Sequence, residues 1–205
     1  MARGLALGRA SAHFWAMADP FFFGYGSLVN RTTHVYDEAE RAHLSGWRRV
    51  WCSTPARDIA FLSVVPDDST ELDGLIAHVP GGDWAALDKR EEGYARHPAT
   101  HAVRHPVTRP HEIQVYAVPE HTKHHDLSEK LILLSYVDVV VQGYLREFGE
   151  AGVQRFFETT DGWTTQVLND RAAPKYPRDR ILTQAERDLC DHWLNEMRAQ
   201  VVTLR

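Results

Sequence analysis

Short runs of apolar residues punctuated by turn residues fill the first part of the chain, and helical spacing takes over later. Phe21, Phe22 and Phe23 are consecutive, as expected of a strand buried on both faces. That run breaks at once into the glycine-spaced turn Gly24-Tyr25-Gly26-Ser27-Leu28. Residues 30–40 are polar and read as a short helix and loop. Residues 43–53, 59–65 and 72–79 have the β-branched and aromatic content of strands, bounded by Pro66-Asp67-Asp68 and Pro80-Gly81-Gly82. Residues 94–105 and 112–118 read as two more strands, separated by Pro106 and Pro110. Between the strands, residues 84–93 are predicted as a short helix with Asp83 as N-cap and Gly93 as its stop.

From Leu127 onward the pattern is helical. Leu131, Leu134, Ser135, Val139, Gln142 and Gly143 follow one face through to Phe148, and residues 152–160 form a second helix. A third begins at Thr183, where Thr183-Gln184-Ala185-Glu186 spells a capping box, with Leu189, Trp193, Met197 and Val201 in one stripe. The expected fold class is α+β. It comprises a small mixed β-barrel-like sheet of about six strands, a helix between them, and a C-terminal helical extension.

Composition narrows the setting. A chain of 205 residues makes one domain with a sizeable core. A net charge of −5 leaves no electrostatic footprint for nucleic acid. Cys52 and Cys190 are too few for a disulfide framework or a zinc site, which points to a reducing compartment, the cytoplasm. No apolar run reaches the length of a membrane span. Residues 1–16 contain Arg, Ala and Ser and no acidic residue, and Met17-Ala18-Asp19-Pro20 reads like an ordinary protein start. Residues 1–19 are therefore expected to be a disordered extension without a role, followed by a domain over 20–160. Residues 161–205 would form a loop and helix packed on that domain.

Three features carry candidate chemistry. Backbone N–H groups of Tyr25, Gly26 and Ser27 can converge on a carboxylate or an oxyanion, with glycine permitting close approach; a plain β-turn is the other reading. Glu91 lies four residues after Leu87, on the apolar face of the short helix. A carboxylate there is costly unless paired or working, and its pKa should rise, as suits a general base. The competing reading is an ion pair with Lys89, Arg90 or a distant arginine. Glu92, about 100° round the helix, is expected to face solvent. The polar segment from Asn169 to Arg178 is a third candidate, with Arg171, Lys175 and Arg178 either reaching over a pocket to a substrate carboxylate or serving as solvated charges. Twelve histidines include His97, His101 and His105, and a cluster at His121, His124 and His125. Prolines place the first three on a strand, too far apart to chelate one ion, so no metal is expected.

The turn and the short helix together resemble the γ-glutamylcyclotransferase superfamily, including its ChaC-like members. The family's [F/Y]-x-Y-G-S-[N/L]-L turn is matched by Phe23-Gly24-Tyr25-Gly26-Ser27-Leu28, and its L-D-x-x-E helix by Leu87-Asp88-Lys89-Arg90-Glu91. Leu134-Ser135-Tyr136, seven residues before Gly143, is similar to its S-x-x-Y, with a shorter serine-to-tyrosine spacing. The asparagine that many members place after Y-G-S is absent, and so is the later S-G-x-N motif of the ChaC-like branch. The arginine-rich segment of that branch is partly echoed by Gly46-Trp47-Arg48-Arg49 and Arg57.

The resemblance implies Glu91 as the catalytic residue, with Phe22, Phe23, Gly24, Tyr25, Gly26, Ser27, Leu28 and Tyr136 around the substrate. It implies cyclisation of a γ-glutamyl amide to 5-oxoproline with release of the attached amine, without metal or cofactor. Glutathione, γ-glutamyl amino acids and γ-glutamylamines stay open as substrates. A non-catalytic relative that binds a γ-glutamyl ligand is the alternative, and a homodimer is left open.

Overall fold

Three consecutive phenylalanines need cover on both faces, and the computed structural model, which describes residues 18–55, 58–109, 111–124 and 126–203, shows where it comes from. The first part of the chain comprises β1 (Asp19–Gly24), β2 (Glu40–Cys52), β3 (Phe61–His78), the helix α1 (Ala85–Arg90), β4 (Ala95–Pro98), β5 (Val103–Arg104) and β6 (His111–Ala117). After these come β7 (Ile132–Leu133), α2 (Leu134–Glu158), β8 (Thr160–Asp161), β9 (Val167–Leu168), α3 (Gln184–Glu196) and β10 (Val201–Val202). The main sheet runs in the order β4-β6-β1-β3-β2-β5, with β8 beside β2. The central β1 is antiparallel to β3 and parallel to β6. Phe21 and Phe23 enter the main core beneath α2, whereas Phe22 points to the opposite face, into a smaller cluster with Leu28, Ala77, Val79, Leu87 and Tyr116.

Four residues close the sheet upon itself. β4 and β5 lie at opposite ends of the strand order, yet only Ala99 to Ala102 separate them in the chain. Ala99 N–H donates to Ile113 C=O on one side, and Ala102 C=O accepts from Ser45 N–H on the other, at 2.8 and 2.9 Å. The sheet is thus a curled half-barrel on an α+β fold, as the strand and helix pattern predicts.

Several boundaries differ from the sequence expectation. The two strands expected over 59–65 and 72–79 are one, Phe61–His78, because Pro66-Asp67-Asp68 forms a bulge instead of a turn. Pairing jumps from Ser45↔Glu71 to Trp47↔Pro66, and Asp67 accepts hydrogen bonds from Ser69 N–H, Ser69 Oγ and Thr70 Oγ1. Residues 94–105 are two strands instead of one. The helix expected from Leu127 starts at Leu134, because Ile132–Leu133 pairs with β9. The two helices expected over 127–148 and 152–160 run on as α2, interrupted by Gly149 at φ 68° and ψ −170°. Ala85–Arg90 is shorter than predicted. Trp84 is its N-cap, while Asp83 Oδ1 accepts from Ala85 N–H.

The capping box at Thr183 and Glu186 is present on α3. Leu189, Trp193 and Met197 pack against the core, but Val201 lies in β10, which continues the small parallel sheet β10-β9-β7. β1 opens at Asp19, the last residue allotted to the N-terminal extension; residues 1–17 lie outside the described residues, as do Arg57, Pro110 and His125. Among the described residues no helix is long and apolar enough to cross a membrane.

Candidate active site

The end of β1, the tip of the β2–β3 hairpin, the C-terminus of α1 and the first turn of α2 surround a cavity of about 180 Å³. Phe23, Gly24, Tyr25, Gly26, Ser27 and Leu28 line it, together with Glu91 and Tyr136 from far along the chain. Phe22 does not. Its expected place at the substrate is corrected by the pleat, which turns it into the apolar cluster on the other face of β1.

The glycines in the turn answer to close packing, since neither Gly24 nor Gly26 has a positive φ. A Cβ on Gly24 would come within 2.5 Å of Leu28 Cβ, and one on Gly26 within 2.5 Å of the Tyr136 hydroxyl. The 3-10 turn over Ser27–Val29 begins its own bonding with Val29 N–H to Gly26 C=O at 3.0 Å. The N–H groups before that point are left over by the turn itself. The three expected donors, Tyr25, Gly26 and Ser27 N–H, have no turn, loop or cap bond among the described residues, and Ser27 N–H acts on the Tyr136 oxygen, lowering its pKa against the larger effect of burial. Burial raises the Tyr136 phenol well above its ordinary range and keeps it protonated.

The turn is held from beneath by residues to which the sequence assigned no place in the site. Arg49, 1% exposed, donates from Nε to Tyr25 C=O at 2.9 Å and from Nη2 to Asp73 C=O at 2.7 Å. It also contacts the Tyr144 hydroxyl and lies over the Tyr144 and Phe156 rings. Its place in Arg48-Arg49 was the available signal, but a two-residue basic run does not say which arginine is buried. His34 fixes the other end. Its Nδ1 accepts from Tyr36 N–H at 3.3 Å, which leaves Nε2–H to donate to Leu28 C=O at 3.2 Å. Burial, reinforced by the Arg90 charge, lowers its pKa to about 4, so the ring is neutral there at pH 7. Tyr25 donates to Tyr116 C=O at 2.7 Å.

Glu91 follows the last residue of α1 and caps it, its N–H bonded to Leu87 C=O at 2.9 Å. Its side chain keeps 18% of its surface open, and it lines the cavity. Burial raises the carboxyl pKa, against the opposing charges of Arg90 and Arg178 and a hydrogen bond from Arg90. That bond, Arg90 Nε to Oε1 at 3.1 Å, is the ion pair the sequence left open. Arg90 also donates to Thr33 C=O at 2.7 Å and reaches Ser27 Oγ at 3.4 Å, which ties the acidic residue to the turn. Glu92 is exposed, at the cavity mouth.

The segment after β9 closes the remaining side, with Lys175, Tyr176, Pro177 and Arg178 in the lining. Tyr176 donates its hydroxyl to Ser27 Oγ at 2.8 Å and sets its ring edge-on to Tyr136. Asp170, buried, fastens this strap to α2: it accepts from Ser135 N–H and Oγ at 2.8 and 2.6 Å and from Lys175 N–H at 2.9 Å. Arg171 does not reach the cavity but binds Asp138 and Asp191. Trp51 forms part of the wall, and its indole N–H has no hydrogen-bond partner among the described residues.

The other reactive side chains lie apart. Burial pushes the Cys52 thiol up to about 11 and raises that of Cys190, both free and buried. His97 packs on Trp47, and His105 lies edge-on to His111. Among the described residues no group of three or more His, Cys, Asp or Glu is placed to hold a metal ion.

Comparison with known proteins bears on this arrangement. The ChaC-like protein family matches residues 21–145, more than half of the chain. The protein belongs to the ChaC-like family. It is thereby a member of the γ-glutamylcyclotransferase superfamily that its motifs resemble. A solved γ-glutamyl cyclotransferase is similar over 84% of this chain and 98% of its own, at 11% identity and a TM-score of 0.53. YkqA from Bacillus subtilis matches 70% of this chain and 56% of its own, at 19% identity and a TM-score of 0.51. An uncharacterized protein from Homo sapiens matches 83% and 97%, at 10% identity and a TM-score of 0.51. At such identities the likeness concerns the fold. No curated protein matches in sequence. The part of this ChaC-like chain that matches the family holds the turn, Glu91, Tyr136 and Gly143, while the strap lies beyond it.

Proposed function

We propose that this ChaC-like protein is a γ-glutamylcyclotransferase-type enzyme of the cytoplasm. It would convert a γ-glutamyl amide to 5-oxoproline and release the attached amine. The observation that carries the reading is the Glu91 carboxyl, its pKa raised by burial, in one cavity with the glycine turn and Tyr136.

The substrate holds its own nucleophile. Its α-amine and γ-carbonyl close a five-membered ring once the chain is folded, so the protein supplies geometry and proton handling. Glu91 takes a proton from the α-ammonium, and the freed nitrogen forms a bond to the γ-carbon. Negative charge moves to the carbonyl oxygen, where the Tyr25 and Gly26 N–H groups and the Tyr136 hydroxyl are the available donors. The carbon–nitrogen bond of the amide then breaks as Glu91 returns its proton to the leaving nitrogen, and the second proton of the ring nitrogen passes by way of the freed carboxylate to the departing amine, which leaves 5-oxoproline and an ammonium. The chemistry as written calls for no metal or cofactor.

One observation favours a second reading, ligand binding without turnover: Arg90 already pairs with Glu91 at 3.1 Å. Release of 5-oxoproline separates the two. Incubation with glutathione, γ-glutamyl-alanine and a γ-glutamylamine should give product from at least one, and Glu91→Gln should abolish it while preserving the fold. Saturable binding with no product from wild-type protein would favour the second reading.

A further inference from the structure

The strap at residues 175–178 places two cations at the cavity that no carboxylate among the described residues pairs directly. Arg171, in the same segment, is engaged by Asp138 and Asp191, and Arg180 donates to Thr32. Lys175 and Arg178 line the cavity, and their side chains have no hydrogen bond or ion pair with any described residue. Their backbone is nevertheless fixed, by Lys175 N–H on Asp170 and by the Tyr176 hydroxyl on Ser27. The strap is therefore anchored while its two charged ends stay available.

Position and chemistry together say what they meet. The folded γ-glutamyl group puts its α-amine and γ-carbonyl beside Glu91, so the leaving nitrogen, bonded to that carbonyl, is beside Glu91 too. Arg178 is close enough for its charge to act on Glu91. In a γ-glutamyl amino acid the leaving nitrogen carries a carboxylate one carbon away, and in a γ-glutamyl peptide a little farther. In a γ-glutamylamine it carries none.

Resting on the cyclotransferase reading above, we propose that Lys175 and Arg178 bind a carboxylate on the leaving amine, so that γ-glutamyl amino acids and peptides are preferred over γ-glutamylamines. The glutamyl group's own carboxylate is common to all of these ligands, so it cannot by itself produce such a preference.

Calorimetric binding to Glu91→Gln protein, which leaves the ligand intact, tests this. γ-Glutamyl-alanine and γ-glutamyl-ethylamine differ in the leaving-group carboxylate. The first should bind about tenfold more tightly or better, the expected worth of a contact to a charged group. Adding Lys175→Gln and Arg178→Gln should bring the two affinities together by weakening only the first. Equal affinities at the start, equal loss of both ligands in the multiple variant, or no binding of either would overturn the proposal. Product release by wild-type protein is read separately. Release with equal affinities sinks the assignment of the cations and leaves the cyclotransferase reading standing, whereas carboxylate preference without release does the opposite.

Discussion

Glu91 combines two demands, since a base must be reachable and its pKa must lie high enough to hold a proton briefly. Its spacing from Leu87 made the inward face legible in the sequence, and burial does raise its pKa. The pairing with Arg90 was one of several possible ion pairs, because the partner depends on where α1 ends. A carboxyl whose pKa is higher folded than unfolded holds protons more tightly in the folded state. Its contribution to stability is full below the ordinary glutamate range and is lost as pH rises through that range to the raised value. Glu91→Gln removes this loss, so its melting temperature relative to wild type should climb as pH rises from the ordinary glutamate range of about 4. A difference that stays flat or falls would mean the carboxylate is stabilised as an anion. In the same way, the acid limb of kcat/KM should lie above the ordinary glutamate value of about 4.3.

At the scale of elements, the contact that sets the site is that of α2 on the turn. Asn30 donates from Nδ2 to Val139 C=O and Gln142 Oε1, both at 3.0 Å, where Gly143 lets the two backbones approach. A Cβ on Gly143 would come within 2.7 Å of Asn30 N, a backbone atom that cannot swing aside. Gly143→Ala should therefore cost about 1–3 kcal/mol of stability, as overpacking does, and lower turnover by displacing Tyr136. Urea denaturation and 5-oxoproline release check the two parts. An unchanged midpoint would show that the helix shifts without cost. Gly143 belongs to the motif read from the sequence, yet helical spacing could not tell its reason, which is a neighbour more than a hundred residues earlier. Element boundaries failed for the same kind of cause: β3 runs through Pro66-Asp67-Asp68 because β2 continues beside it.

Across the whole molecule, the ChaC-like core and the C-terminal part meet at Asp170, which caps α2 through Ser135 and holds the strap through Lys175 N–H. Asp170→Ala leaves those donors unpaired in a buried place and should cost about 2 kcal/mol or more. It should also reduce turnover beyond the effect on folding, because Tyr176 loses its anchor. Folded variant with wild-type turnover would remove the strap from the mechanism. Taken by itself, the sequence determined the β1 turn, the acidic residue on the short helix, the α+β class and the capped C-terminal helix. All of these are written in local spacing, where a periodicity or a cap depends on residues within a turn or two. Only the tertiary structure decided that Phe22 faces away, that Arg49 and His34 hold the turn, and that the strap closes the cavity. These depend on pairing and burial between residues far apart in the chain, and the free energy of a buried charge or a close backbone approach is set by such neighbours.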